Sequence, residues 1–411
     1  MTARSRRLRV AFVHLSDYHL DGEVQRPARA LAARGDEVHA IGIGRAAVLS
    51  EGKGTIVVHE ARLRRSRGGA RAYLSEYVRF LTRATATVTR LHARAPFDFV
   101  QVHNMPDALV FAGVVPKLAG RPVVLQLNDT FPELFQTLTG RSARSPVWRL
   151  IALEERASAW MADMLIAVTP HAGARFNARG VGVGKTTIMI NAPNEAVFGA
   201  PRAVEVAFEP AALRLVYHGG LAERYGVESL LRALPLVRRH LPRATLDVYS
   251  QMATGPEAAR LRAIAPQGAT IHTEPIDHRD VPVVLERADV GVVPTVLDDF
   301  TRLLLPVKLM EYVHMALPVV ASDLPIVRET FGPDALELVP PGDPSALAAG
   351  VLRIARDPAR AAARARLATE RLQPLAWREQ VDRYTALVDE LVHVSRSGAA
   401  RKRQVRANRA G

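Results

Sequence analysis

The chain has 411 residues, of which 48% are hydrophobic and 23% are charged. That length suggests two large domains, and the composition excludes an intrinsically disordered protein. Because the sequence contains no cysteine, disulfides, thiolate metal sites and cysteine nucleophiles are excluded, and a reducing compartment is indicated. No run of 18 apolar residues is present, and the apolar stretch 10–15 is too short for a signal sequence. We therefore expect a cytoplasmic protein.

The net charge of +14 is concentrated in three segments. Residues 1–10 carry +4, residues 62–94 carry +8 and residues 396–411 carry +6, so the rest of the chain is slightly acidic. Such basic segments suit an anionic surface, either nucleic acid or lipid headgroups, although solvated, disordered ends would have the same composition. No zinc-finger spacing or aromatic RNA-binding cluster accompanies the charge, so we predict no nucleic-acid partner.

Apolar segments rich in valine and isoleucine alternate with helical patterns through the first 200 residues. Several are apolar almost end to end, as expected of parallel strands that are covered on both faces. Strands are predicted at 8–15, 37–43, 55–59, 97–103, 122–128, 164–169 and 187–191, and helices at 23–33, 70–91, 107–118 and 146–161. This alternation predicts a doubly wound sheet, in which ligands bind at the carboxyl ends of the strands.

The segment 201–211 interrupts the alternation. It contains Pro201, Pro210 and several charges without a clear period, which is typical of a linker. Strands are then predicted at 213–218, 245–249, 270–273, 290–294, 318–322 and 336–339, and helices at 227–239, 281–288, 307–315 and 345–355. We therefore predict an α/β protein in which two doubly wound, Rossmann-like domains, residues 1–200 and 212–374, face each other across a cleft.

Two further helices, 358–372 and 375–394, are predicted after the second sheet. The last one has apolar residues at helical spacing, and a helix with such a stripe must bury it. Residues 396–411 are predicted to be a basic, disordered tail. Both the tail and the basic helix 70–91, with Tyr73, Tyr77 and Phe80 at helical spacing, are candidates for contact with an anionic membrane. The stripe of helix 70–91 would equally suit packing on the sheet.

Residues 180–187 read GVGVGKTT and are similar to a phosphate-binding loop. That loop requires a glycine where Arg179 stands and opens a helix, whereas a strand follows here. A turn between a helix and a strand explains these glycines. The thirteen histidines lack the helical or carboxylate-paired spacing of a metal site, so we predict no metal ligands.

The most informative segment is LPVKLMEY, residues 305–312. Lys308 and Glu311 are three residues apart at the start of a predicted helix and therefore share one face. The helix follows the strand that ends near Thr295, which places its N-terminus over the carboxyl edge of the sheet. Backbone amides there attract a diphosphate, Lys308 adds positive charge, and Glu311 can accept from sugar hydroxyls. Taken alone, the pair could also be a surface ion pair.

The ordered series of motifs resembles glycosyltransferase family 4 (group 1), whose members are retaining, metal-independent enzymes with the two-domain GT-B fold. The resemblance covers residues 8–394. In that family a lysine-bearing segment leads into a glutamate-bearing helix and a Pro-Val-Val strand, as in LPVKLMEY and PVVAS here. A glycine-rich strand end opens the second domain, as in YHGGLAERYG, while VHNMPD and QLNDTFPEL match the segments on the acceptor side.

The resemblance implies two groups of functional residues. The residues expected to bind the nucleotide sugar are Gly22, Gly219, Gly220, Arg224, Lys308 and Glu311. Those expected to take part in catalysis are His103, Asn128 and Asp129. In the resembled family the last helix packs back on the first domain, so residues 375–395 are assigned to that return helix.

Four departures from the family pattern bear on activity. Many relatives have a histidine where Asn128 stands. The first glutamate of a spaced Glu pair would fall at Leu303, and the Arg and Lys of a phosphate-binding pair would fall at Gly220 and Tyr225, which leaves Arg224 as the basic substitute. A glycine-rich loop after the first strand is reduced to one glycine, Gly22.

His103 bears on the first of these departures. It is expected near Asn128 in the fold and could supply an imidazole in its place. It could equally satisfy backbone groups at a strand end, since a histidine suits either role.

The activity implied is transfer of a hexosyl-type unit from a nucleoside diphosphate sugar, UDP- or GDP-linked, to a hydroxyl of a glycan or lipid-linked acceptor in polysaccharide or glycolipid biosynthesis. No cofactor is expected, because Arg224, Lys308 and the helix N-terminus would stabilise the leaving diphosphate in place of a metal. The expected location is cytoplasmic, with contact at the inner face of the membrane.

Two alternatives remain open. One is a non-catalytic subunit that binds a sugar nucleotide or a glycan, which Asn128 and Leu303 favour. The other is a sugar-nucleotide epimerase of the same fold.

Overall fold

A computed structural model describes residues 7–61, 63, 70–203, 208–209 and 212–410, with the side chains of all of these except 70–73 and 398–410. The chain divides into two compact units. The first unit comprises Met1–Ile190 and Gln380–Gly411, and the second comprises Asn191–Glu379. The predicted boundaries at residues 200 and 374 therefore differ from this division. One reason is that the backbone amide of Arg202 donates to the carbonyl of His314 (3.1 Å), a contact within the second unit.

The first unit is built on a sheet with the strand order β3-β4-β2-β1-β5-β6-β7-β8, parallel except for the antiparallel pair β3 and β4. Its strands are β1 (Arg9–Val13), β2 (Glu37–Gly42), β3 (Ala47–Glu51), β4 (Gly54–Glu60), β5 (Phe99–His103), β6 (Val123–Leu127), β7 (Met164–Ala167) and β8 (Thr186–Ile188). Its helices are α1 (Gly22–Arg34), α2 (Ala70–Arg94), α3 (Val114–Leu118), α4 (Phe131–Thr139), α5 (Pro146–Met161) and α6 (Pro170–Ala178), with 3-10 turns at Tyr18–Leu20 and Asp107–Gly113.

The second unit is built on a parallel sheet with the strand order β11-β10-β9-β12-β13-β14. Its strands are β9 (Arg214–His218), β10 (Thr245–Tyr249), β11 (Ala269–Ile271), β12 (Val290–Val293), β13 (Val319–Ser322) and β14 (Glu337–Val339). Its helices are α7 (Glu195–Phe198), α8 (Val227–Arg238), α9 (Pro256–Ala263), α10 (Val281–Leu285), α11 (Val307–His314), α12 (Pro325–Ala335), α13 (Pro344–Arg356) and α14 (Pro358–Leu372), with 3-10 turns at Glu223–Tyr225, His278–Asp280, Thr301–Leu303 and Gln373–Leu375.

The central strands are buried along their whole length, which confirms the prediction of parallel strands covered on both faces. Every residue of β5, β6, β12 and β13 is buried. Two doubly wound α/β units are therefore the observed architecture, as predicted.

Strand β3 was not predicted, because its residues alternate between partly buried and exposed and form a short antiparallel edge. The predicted helix 107–118 begins as a 3-10 turn, Asp107–Gly113, and becomes α-helical only at α3.

Helix α2 packs its apolar stripe on the first sheet. Phe80 and Val88 are fully buried, and Leu91 is nearly so. The large apolar side chains that α2 exposes, among those described, are Leu74 and Val78. The stripe expected to be available to a membrane is thus part of the core, whereas the arginines between residues 62 and 69 and the side chain of Tyr73 lie outside the described part of the chain.

The last helix, α15 (Trp377–Ala410), belongs to the first unit from Gln380 onward. The hydroxyl of Tyr384 donates to Oε1 of Gln101 on β5 (2.7 Å), and both residues are buried. The Gln380 side chain bonds to the backbone amide and carbonyl of Ile190. The prediction of a helix that returns to the first domain is confirmed.

The same helix differs from the predicted disordered tail, because its backbone stays helical through residues 396–410. That segment is rich in alanine and arginine, which are among the best helix formers. None of the helices in the described residues is long and apolar enough to cross a membrane.

We expect a chain truncated after Gln373 to be much less stable than one truncated after Val394. The shorter chain loses the buried side chains of Tyr384, Val388 and Val392, and each large apolar side chain contributes about 1.5–3 kcal/mol to the free energy of unfolding. The longer chain keeps all three. Urea denaturation followed by circular dichroism measures the difference, and equal midpoints would show that α15 does not complete the core.

Candidate functional site

The end of strand β9 and the start of helix α11 form a cationic site in the second unit. Strand β9 ends at His218 and is followed by Gly219 and Gly220. Gly219 has a φ of +127°, and a Cβ atom at this position would lie 2.8 Å from Nζ of Lys308. Glycine is therefore required both by the backbone conformation and by the close approach of the lysine.

Lys308 lies between two tyrosine rings. Its Nζ donates to the hydroxyl of Tyr217 (2.8 Å) and is 4.2 Å from the centroid of that ring and 4.7 Å from the centroid of the Tyr225 ring. Such contacts stabilise a cation through the ring quadrupole. Burial nevertheless disfavours the ammonium form and lowers the pKa of Lys308 to about 7, although Glu311 acts in the opposite direction.

Arg224 brings a second cation to the Tyr225 ring. Its guanidinium carbon is 5.2 Å from the Tyr225 centroid and 5.6 Å from the Phe300 centroid. Its Nε is buried and has no hydrogen-bond partner among the described residues. A buried donor without a partner carries a desolvation cost, which an anionic ligand would relieve. Gly220 makes this packing possible, because a Cβ there would lie 2.5 Å from the Tyr225 ring.

Glu311 is buried, so it does not belong to the surface ion pair that its spacing from Lys308 also allowed. Its carboxylate lies 3.1 Å from Nε2 of His218 and 3.8 Å from Nε2 of His278. The Tyr312 hydroxyl accepts from the backbone amide of His218 (2.9 Å), so consecutive residues of α11 hold the end of β9. Glu311 is thus a carboxylate that faces histidines.

The N-terminus of α11 adds partial positive charge beside Lys308. The helix begins after Pro306, and no side chain of the described residues caps it. Two cations and uncapped helix amides together make this part of the second unit positively charged, an arrangement that would suit an anion such as a diphosphate. The described residues contain no cluster of three or more His, Asp or Glu side chains able to hold a metal ion.

The predicted catalytic residues lie in the first unit, where an unpredicted residue, Asn104, joins their loops. Its Oδ1 accepts from the backbone amides of Asn128 (2.7 Å) and Asp129 (3.3 Å). Its Nδ2 donates to Oδ1 of Asp107 and to the carbonyl of Asp129, both at 2.8 Å. One side chain therefore fixes the segments that follow β5 and β6.

A chain of amide hydrogen bonds ends at Asn128. Gln101 Nε2 donates to Oε1 of Gln126 (2.9 Å), and Gln126 Nε2 donates to Oδ1 of Asn128 (2.9 Å). The Tyr384 hydroxyl, which donates to Gln101, starts this chain. The Asn128 side chain is thus oriented through the core by the last helix.

His103 is buried at the end of β5 and is held as a neutral ring. Its Nε2 lies 3.3 Å from Nε2 of Gln101, and its Nδ1 has no hydrogen-bond partner in the described part of the chain. Burial lowers the pKa of His103 to about 3, although the nearby Asp21 raises it. A ring with this pKa is a weak base at neutral pH.

Gly22 lies in the first unit, apart in sequence from the other predicted donor residues, which all lie in the second unit. It is the first residue of α1, whose N-terminus is capped by Asp21. The Asp21 carboxylate accepts from the backbone amides of Glu23 (3.0 Å) and Val24 (3.3 Å). These amides are therefore already engaged by an anionic side chain.

The sequence prediction missed the tyrosines and the asparagine that organise both groups. Tyr217 and Tyr225 are the first and last residues of the segment YHGGLAERY. The two aromatic residues on either side of the glycines could have been recognised in the sequence as candidates for packing around the site. Asn104 lies within the motif VHNMPD, but nothing in a single sequence distinguishes its side chain from a turn residue. His218 could not be paired with Glu311 from the sequence, because the two lie on different elements.

Comparisons with known proteins agree with this architecture. Residues 23–192 match the family described as "Glycosyl transferase 4-like domain", and residues 212–357 match "Glycosyl transferases group 1". Among proteins of curated function, none matches this sequence.

Solved structures of similar fold include three glycosyl-transferring or UDP-binding proteins. Sucrose-phosphate synthase from Thermosynechococcus elongatus aligns with a TM-score of 0.74 at 20% identity, covering 94% of this chain and 100% of that one. Trehalose 6-phosphate synthase from Burkholderia multivorans aligns with a TM-score of 0.66 at 15% identity, covering 97% and 99%. Anabaena HepE in complex with UDP-glucose aligns with a TM-score of 0.64 at 13% identity, covering 95% and 100%.

The two family matches together span most of the chain, and each falls on one of the two α/β units. The fold of the neighbours is the GT-B fold. The chain belongs to the group 1 glycosyltransferases.

Proposed function

We propose that this glycosyltransferase transfers a hexosyl unit from a nucleoside diphosphate sugar, UDP- or GDP-linked, to a hydroxyl of a glycan or lipid-linked acceptor, with retention at the anomeric carbon. The observation that carries the donor proposal is the cationic site at the end of β9. There, Lys308 and Arg224 contact one tyrosine ring beside the uncapped start of α11. HepE, a structural neighbour, binds UDP-glucose, which supports the same class of donor here.

The second unit would stabilise the charge of the leaving group. As the bond between the anomeric carbon and the diphosphate oxygen breaks, negative charge develops on the diphosphate. Lys308, Arg224 and the amides of α11 would bind that charge, which is an electrostatic contribution that grows toward the transition state. These groups make a divalent metal ion unnecessary for the step we propose.

The first unit would orient the acceptor. In the retaining step, the acceptor oxygen bonds to the anomeric carbon, and its proton passes to an oxygen of the departing diphosphate. No protein base is then required, which is consistent with an amide at Asn128 and a ring of low pKa at His103. Asn128 and Asp129 would position the acceptor hydroxyl through hydrogen bonds. Such an acceptor places the enzyme in polysaccharide or glycolipid biosynthesis.

A panel of UDP- and GDP-sugars, assayed in EDTA with simple glycoside and lipid-linked acceptors, tests this proposal. We expect transfer from at least one donor. We also expect Lys308→Ala to lower its rate by roughly ten- to a hundredfold, since a hydrogen bond to a charged group contributes about 1.5–3 kcal/mol. The matched control is Lys117→Ala, which removes a surface ion pair with Asp163. Equal loss in both variants, or transfer that is abolished by EDTA and restored by Mn²⁺, would contradict the donor site.

The alternative of a non-catalytic binding subunit is favoured by one observation: where many relatives have an imidazole, this chain has the Asn128 amide, whose Oδ1 accepts a hydrogen bond from Gln126. Such a subunit would bind a nucleotide sugar without transferring or hydrolysing it, whereas an enzyme would release nucleoside diphosphate. A coupled assay for that product separates the two. Release of product by the purified chain alone would exclude the binding subunit.

Binding of UDP or GDP should take up a proton at pH 8. Because the pKa of Lys308 is lowered to about 7, the free amine is largely neutral at pH 8, and a bound diphosphate favours the ammonium form. Nucleotide affinity should therefore fall as the pH rises above 7. Titration calorimetry in two buffers of different ionisation enthalpy measures the uptake. In Lys308→Arg the uptake should vanish, because the guanidinium stays charged, and an unchanged uptake would assign the proton to another group.

Replacing Asn104 with alanine should lower the rate of transfer without weakening nucleotide binding. The change removes four hydrogen bonds and leaves the backbone amides of Asn128 and Asp129 without that acceptor. We expect a loss of about 1–3 kcal/mol in stability and a lower kcat. Asn177→Ala, at an exposed position on α6, is the control. Weaker nucleotide binding in Asn104→Ala, measured by calorimetry, would show that its role extends to the donor.

A further inference from the structure

Helix α5 presents four of its large apolar side chains to solvent. Val147, Leu150, Leu153 and Trp160 are 39%, 66%, 61% and 80% exposed. Their spacing places them along one side of the helix, and Leu138 at the end of the neighbouring α4 is 62% exposed. Isolated exposed leucines are common, but several large apolar side chains exposed along one side of a helix indicate a binding surface.

The inward side of α5 explains why the stripe cannot simply rotate into the core. Glu155 and Ser158 are fully buried on that side. The Glu155 carboxylate accepts two hydrogen bonds from the Arg179 guanidinium (2.6 and 2.9 Å). Rotating the helix would break the hydrogen bonds between Glu155 and Arg179. A buried charge that loses its partner in this way destabilises the fold. The orientation of the apolar stripe is therefore fixed.

Arginines border the stripe. Arg149 and Arg156 are exposed on α5, and Arg141 and Arg144 are exposed in the segment before it. Between residues 134 and 162 the only acidic residues are Glu154 and Glu155. Glu155 is bound to Arg179, and Glu154 accepts from the Ser158 hydroxyl (3.0 Å). The outward surface is thus apolar and positively charged.

We propose that this surface, formed by Leu138, Val147, Leu150, Leu153, Trp160 and the bordering arginines and named here the α5 face, binds an anionic lipid bilayer. Leucine and tryptophan side chains would enter the headgroup region, where an indole ring is favoured, and the arginines would contact lipid phosphates. A second copy of the chain fits less well, because pairing two such faces would bring eight arginines together.

This inference goes beyond glycosyl transfer and stands on the exposed residues of the α5 face alone. It would place the unit that carries Asn128 and Asp129 at a membrane surface, where lipid-linked acceptors are found. It also assigns membrane contact to a helix other than α2, whose stripe is buried.

Co-sedimentation with vesicles tests the α5 face. The full chain is mixed with vesicles of phosphatidylglycerol and phosphatidylcholine (1:1) and with phosphatidylcholine alone, without donor or acceptor. We expect binding to the anionic vesicles that weakens in high salt. The double variant Leu150→Asp/Leu153→Asp should lose about tenfold or more in partition coefficient, because it removes apolar contact and adds two negative charges.

The matched control is Leu118→Asp/Val183→Asp, which makes the same change in charge at two exposed positions outside the α5 face. Since all four side chains are exposed, both variants should keep the thermal midpoint of the parent. Equal binding by the two variants would overturn the proposal, and so would a parent chain that does not sediment with anionic vesicles. A dimer that Leu150→Asp/Leu153→Asp dissociates, in the absence of vesicle binding, would overturn it in favour of a second copy.

Trp160 provides a local readout. Its fluorescence should shift to the blue on vesicle addition and be quenched by brominated phosphatidylcholine, and Trp160→Phe should remove most of that signal while vesicles are still bound. Quenching that is undiminished in Trp160→Phe would place the contact elsewhere. Lys308→Ala should bind vesicles like the parent, because Lys308 lies in the second unit, outside the α5 face. A parent chain that binds anionic vesicles but transfers no sugar would count against the proposed activity and not against the α5 face.

Discussion

The burial of one ammonium group between two tyrosine rings is the constraint around which the second unit's site is built. Lys308 can approach Tyr217 only because residue 219 has no side chain, and Tyr225 can pack beside it only because residue 220 has none. Glycine is therefore required at positions 219 and 220 by the packing of Lys308 and its aromatic neighbours. Desolvation favours the neutral amine of Lys308, whereas the contacts with the two rings favour its ammonium form. The protonation of Lys308 is therefore sensitive to an incoming anion.

The first unit is organised by a different kind of interaction. Two of its buried histidines are uncharged at neutral pH: burial lowers the pKa of His14 to about 4 and that of His103 to about 3, although nearby acids raise both. Amide side chains then provide direction, since Asn104 and Gln126 both orient Asn128. The two units thus provide complementary chemistry, with positive charge in one and fixed hydrogen-bond geometry in the other.

The fold could be predicted from the sequence because its central strands are apolar on both faces and alternate regularly with helices. The position of Lys308 at a helix start after a strand was predictable for the same reason. The burial of Glu311 was not, because it depends on His218 and His278, which reach it from other elements. Helical spacing likewise revealed a stripe on α2 but could not show that α5 turns its own stripe outward.

The hydrogen bond from Tyr384 to Gln101 has a consequence for the order in which the chain folds. The first unit contains both ends of the chain, and its interior is complete only when residues near 384 are present. Domains usually fold in order of synthesis, with the N-terminal one first. Here Gln101 cannot form its hydrogen bond with Tyr384 until that residue, 283 positions later in the chain, has been synthesised. During translation, the second unit can therefore be finished while the first is still open.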